Sequence, residues 1–501
     1  LFLEDVLKNM KPSLTADEKL KLEIELSRRA KALADFKKTG HGTPRTRREF
    51  LGSGLLAGAA FMTAPTLLQI LASEASAAGL SSECKALLEP TPGMIPFIQI
   101  NLTGGASLGS QLMALDKNRQ PLTDYSLHGL GKAGGFQTTA AFGNQLLPSM
   151  NGVLVGKVME GLLAKAGTTA AANTALIPFF VRSQDDNPSN PYDITGLVNA
   201  IGVKGTLLPN LGSTGSPRVH SLPTYVASTA PQIVKSVQSV RDALAPGGTL
   251  KTALKDPAQQ SALLNLLNKL SSGQRKNLER SPSGLVIGKL AECSTGKNID
   301  LQSMDPNALD PRMNADVAAA WGIAKAGATD TSALQATAAF NTINGNAGSS
   351  IIEIGGFDYH GQTRTQSDAT DLGGGQLIGN VLRTAEILGK PVFIHVVTDG
   401  AVSSADTIVG GAWRGDAGTL GSGYMIAYNP KGRPLTSDSQ LGAYNSEAAV
   451  DESWIENWTV DRCALAVFAN YLQLHGKVAQ LDSLVPNQFD PSALKKIIKF
   501  A

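Results

Sequence analysis

The 501-residue chain is poor in cysteine, histidine and aromatic residues, and neither sign of charge is in excess. Cys84, Cys293 and Cys463 are the only cysteines, and no two sit at zinc-knuckle spacing, which argues against a cysteine metal site. Cys84 and Cys293 stand in polar, loop-like surroundings and are open to pairing in an oxidising compartment. Cys463 opens the apolar run Cys463-Ala-Leu-Ala-Val-Phe and reads as a small buried hydrophobe. With 44 Lys and Arg against 42 Asp and Glu, the charge balance gives no reason to expect nucleic acid as a partner, since that needs a basic surface. Aromatics at 5%, beside 52 Gly and 25 Pro, favour turns and long loops over a helical bundle. The length allows one large domain or a few ordinary ones, with an ample core either way.

What is present begins with a leader. Residues 1–77 hold 12 Lys and Arg against 9 Asp and Glu, leaving 32 against 33 for the remainder, so a basic start precedes a neutral body. Thr46-Arg47-Arg48-Glu49-Phe50-Leu51 matches the twin-arginine export pattern, and Phe50 to Ser73 carry no charge. Ala75-Ser76-Ala77 supplies the small residues of a cleavage site, placing the cut after Ala77; an uncleaved membrane anchor is the alternative. We therefore expect residues 45–77 to be a signal peptide and the mature chain, 78–501, to be periplasmic or extracellular, meeting the membrane only transiently. Residues 1–44 form a charged extension in which Thr15 and Glu18 make a capping box ahead of a helix over Leu20–Phe36. Twin-arginine export often serves proteins that load a cofactor before crossing, which raises the expectation of a metal.

The mature chain reads as α/β. Ile95–Leu102, Ala175–Val181, Ser350–Ile354 and Val392–Thr398 are short apolar runs that stop at polar turns. Between the last two, Gln376–Leu388 has helical spacing, so strand, helix and strand imply a crossover in a parallel sheet. From 231 to about 340 the pattern changes to helical runs at Gln232–Ala245, Gln259–Leu270 and Ala315–Ala324, read as a helical insertion open to a protein partner. A final helix over Asp461–Leu474 ends at His475-Gly476.

Ligands of parallel sheets bind at the carboxyl ends of the strands, so the residues after each run are the chemical candidates. Asp358 and His360, in Gly355-Gly356-Phe357-Asp358-Tyr359-His360, suit a divalent metal, or else cap a turn and face solvent. Asp399, in Thr398-Asp399-Gly400, offers a further carboxylate. His395, inside that strand, reads as a satisfied sheet residue, a ligand being the alternative. The loop after the first strand carries Thr103, Ser107 and Ser110 among glycines whose amides can cradle an anionic oxygen, and Ser107 is the candidate nucleophile. Asp185 and Asp186 stand in a polar loop that reads as solvated, the alternative being that they face a metal or an ordered water.

Leu102-Thr103-Gly104-Gly105 and Gly355-Gly356-Phe357-Asp358-Tyr359-His360 resemble motifs of a twin-arginine-exported bacterial family called domain of unknown function 1501, itself similar in fold to sulfatases and alkaline phosphatases. The resemblance covers most of residues 95–430. It implies an alkaline-phosphatase-like, mostly parallel sheet flanked by helices, with a metal site of Asp358, His360, Asp399 and, as a fourth ligand, Asp416. Zinc, manganese or calcium is the ion such residues would take. Two departures mark this chain: Ala106-Ser107 stands where the family carries an early Asp, and Asp416-Ala417-Gly418 lacks the histidine of an Asp-His-Gly motif. The expectation is an exported binding or assembly protein on a degenerate phosphatase scaffold; the alternative is a metal-dependent phosphoester or sulfoester hydrolase.

Overall fold

Four apolar runs become neighbouring or near-neighbouring strands because each is covered on both faces. The computed structural model describes residues 94–135, 137–151, 153–183, 194–201, 208–213, 232–237, 239–240, 306–404 and 412–501. The expected leader and extension, the Cys84–Cys293 pair, the Asp185-Asp186 loop and residues 241–305 of the expected insertion lie outside them.

In chain order the elements are β1 (Phe97–Leu102), β2 (Asp124–Tyr125), β3 (Gly131–Lys132), β4 (Gln137–Ala141), β5 (Asn144–Met150), β6 (Val153–Leu154), α1 (Lys157–Ala172), β7 (Thr174–Phe180), α2 (Thr195–Ala200), β8 (Leu208–Gly212) and β9 (Gln232–Ile233). They continue with α3 (Ala315–Trp321), α4 (Thr331–Ile343), β10 (Ala347–Ile354), α5 (Arg364–Leu388), β11 (Val392–Thr398), β12 (Val402–Ser404), β13 (Trp413–Asp416), β14 (Ser422–Tyr428) and α6 (Val460–Gln473). The central sheet has seven strands in the order β7-β14-β11-β1-β10-β8-β9. β14 runs antiparallel to both neighbours, while β1, β8, β9, β10 and β11 pair in parallel.

β1 lies between β10 and β11, so α5 makes the expected crossover. One face of the sheet, with Ile98, Ile100, Leu102 and Ile352, shares a core with α1, α4 and α5. The other, with Phe97, Phe393 and Val397, packs against residues of α2 and α6. Near-continuous apolar strands are what a sheet covered on both faces needs. Cys463 is buried in α6, as expected of a small hydrophobe.

Two expectations change. Gln232 and Ile233 add edge strand β9 beside β8 and do not begin a helix. The described end of the expected insertion also includes α4, whose Ala336, Ala339, Phe340 and Ile343 join the main core. That helix covers the sheet directly, because a stripe of small and apolar residues can pack closely on β10. Among the described residues, no helix is long and apolar enough to cross a membrane.

Candidate functional site

Three loops meet at the carboxyl ends of β1, β10 and β11. Beyond Leu102, Gly104 and Gly105 take φ values of +120° and +97°, a conformation that turns successive amides toward one point. The oxygen in that nest belongs to the protein: Gly104 N–H and Gly105 N–H donate to Asp399 Oδ1 at 2.5 and 3.1 Å. Thr398 adds a second staple, its Oγ1 accepting from Ala106 N and donating to Leu102 O, both at 2.7 Å. Asp399 is thereby a buried anchor between β1 and β11 with one oxygen left.

Gly104 also lies against the β10 loop. A side chain there would begin 2.4 Å from the backbone nitrogen of Asp358, and Phe357 N donates to Thr103 O at 3.1 Å. Past Gly356 the residues alternate, Phe357 and Tyr359 buried, Asp358 and His360 turned outward with side chains 64% and 37% exposed. Those two bind each other, Asp358 Oδ1 lying 2.5 Å from His360 Nδ1. Hydrogen bonds from the His360 ring and then its backbone hold the Asp358 carboxyl below the usual range. Gly415 of β13 approaches the same ring, so Asp416 follows beside it in the chain; the Asp416 side chain is outside the described residues. The structure thus gathers Asp358, His360 and Asp399 at one sheet end but places Gly104 between the exposed pair and the buried anchor. Among the described residues, no three His, Cys, Asp or Glu side chains form a group able to hold a metal.

Ser107, the candidate nucleophile, lies in the turn after β1. It is 2% exposed and precedes the short turn Leu108–Gln111, its carbonyl accepting from Ser110 Oγ at 2.7 Å. His395 corrects an expectation: it is buried between β1 and β14, yet its Nδ1 has no hydrogen-bond partner.

Beneath the exposed pair lies a network that sequence reading missed. Tyr359 Oη donates to Asp371 Oδ1 at 2.6 Å and Gln111 Nε2 to Asp371 Oδ2 at 3.4 Å, while Gln111 Oε1 accepts from Val158 N at 3.1 Å. This ties the β10 loop and the turn after β1 to α1 and α5. Burial, above all, pushes the Asp371 carboxyl up to about 7. The folded protein then keeps a proton that an unfolded chain, with a carboxyl near 4, has released. The group's stabilising contribution is complete below about pH 4 and is lost as pH rises through about 7. Asp371→Asn removes that proton, so urea titrations from pH 4 to 8 should show wild type losing on the order of 4 kcal/mol relative to the variant. Parallel pH profiles for the two proteins would contradict this.

An open cleft of about 720 Å³ lies beside these loops, lined by Thr103, Thr331, Ser332, Gln335, Glu353, Ile354 and Gly355. Among the described residues its lining offers hydroxyls, an amide and one carboxylate. No protein-family model matches the chain, and neither a curated protein nor a solved structure is significantly similar to it.

Proposed function

We propose that the chain is an exported binding or assembly protein of the periplasm or cell surface, built on an alkaline-phosphatase-like scaffold and working from the carboxyl edge of its sheet. The twin-arginine pattern and the Gly-Gly-Phe-Asp-Tyr-His motif support export and scaffold. The observation that carries the functional reading is the use of Asp399 Oδ1 to hold Gly104 and Gly105. A dinuclear phosphatase needs several carboxylates and histidines free to grip two ions. Here Asp399 anchors a turn, Asp358 and His360 bind each other, and Ser107 is buried. That donor set does not fit a dinuclear centre.

The metal-dependent hydrolase is the second reading, and the Asp358–His360 pair favours it: a carboxylate on Nδ1 is the arrangement that orients a histidine to ligate through Nε2. Hydrolysis of p-nitrophenyl phosphate and p-nitrophenyl sulfate, with zinc, manganese or calcium supplied, separates the two. We expect the same rate from wild type and from the Asp358→Ala, His360→Ala double variant. Turnover present in wild type and lost in the variant would establish the hydrolase instead.

A further inference from the structure

The middle of the sheet carries polar side chains where a core is ordinarily apolar. Gln99 and Asn101 of β1 and His395 of β11 are each no more than 1% exposed. The register sets Gln99 directly opposite His395. Paired residues of parallel strands point to the same face, so all three project to the side that packs against α2 and α6 residues. There His395 sits between the rings of Phe97 and Phe179, with centroids 6.3 and 5.6 Å away.

One hydrogen bond joins the group, from Gln99 Nε2 to Asn101 Oδ1 at 3.0 Å. Gln99 Oε1, Asn101 Nδ2 and His395 Nδ1 have no partner. Turning the amides over does not cure this. With both reversed, Asn101 would donate to Gln99, and a Gln99 donor and an Asn101 acceptor would be stranded instead. Buried polar groups in folded proteins are almost always paired, with protein or with a bound molecule. Here an acceptor, a donor and an imidazole nitrogen are stranded together on one face.

We infer that Gln99, Asn101 and His395 line a buried binding site for a small uncharged molecule that both donates and accepts hydrogen bonds. A charged ligand is disfavoured, because no charged group acts on His395 and burial alone drives its imidazole down to about 3, keeping it neutral. The cleft at the strand ends is close by: Asn101 is the register partner of Glu353, which lines it. Bulk water and a small organic alcohol or amide carried from the cell share this chemistry.

A crystal structure of the full chain, resolved well enough to show ordered water, tests the site, with native mass spectrometry of the same sample separating the sources. Discrete density within hydrogen-bond distance of Gln99 Oε1, Asn101 Nδ2 and His395 Nδ1 is expected, and unchanged protein mass identifies water. Connected density with a matching added mass identifies an organic ligand and equally supports the site. Asn101→Leu should abolish the density; if that variant fails to fold, the wild-type map still decides. An empty space, or side chains repacked to bond one another, would overturn the inference.

Discussion

Replacing Gly375 by alanine in the middle of α5 is expected to cost about 3 kcal/mol or more, although alanine is the better helix former. A Cβ at this position would land 2.0 Å from the carbonyl oxygen of Val158 and 2.8 Å from its carbon. Both atoms are backbone, so no side chain can swing away and α1 must move off α5. The contact is reciprocal. A Cβ on Gly161 of α1 would stand 2.3 Å from Leu372 O, and one on Gly379, one turn on, 2.6 Å from Leu162 O. Gly373, two residues earlier in the same helix, has nothing within 4 Å of its missing side chain. Gly373→Ala should therefore stabilise by up to about 1 kcal/mol through propensity alone. Urea unfolding of both variants checks the pair; equal effects would mean that the helices do not meet through these glycines.

Asp399→Ala is expected to destabilise by about 3 kcal/mol, because it strips the shared acceptor from two amides in a buried turn. Asp399→Asn keeps a carbonyl oxygen for them and should lose about half as much, the charge-assisted part of the bonds. Denaturant titration at neutral pH gives both values. No loss in the alanine variant would show that the turn does not depend on this carboxylate.

The fold was legible where burial on two faces forces an apolar run. β1, β7, β10 and β11 were visible for that reason, and the parallel relation of β10 and β11 followed from the helix between them. Ser422–Tyr428 went unread as the antiparallel strand β14, because its opening Ser-Gly looks like a loop until Phe179 packs where a side chain at Gly423 would stand. The helical spacing legible in the sequence begins at Gln376 and not at Arg364, because Gly373-Gly374-Gly375 weakens the helical signal. Gly375 is required by close contact with α1 and Gly374 lies against Phe357, which no local pattern announces. A capping box of Thr363 and Gln366 marks the true start.

The site was legible only in part. Asp358 and His360 are two residues apart, so their meeting in one turn could be foreseen. The role of Asp399 could not, since the amides it holds lie 294 and 295 residues away in the chain. Asp371 was hidden for the same reason: its partners Tyr359 and Gln111 come from two other segments, and an acid on a helix reads as solvated unless its neighbours are known.

Metal content, by mass spectrometry of the full chain purified without chelator, tests the central claim most directly. The account predicts far less than one zinc, manganese or calcium ion per chain, and the same value in the Asp358→Ala, His360→Ala double variant. About one ion or more per chain in wild type, lost in the double variant, would contradict it and make these residues a working metal centre.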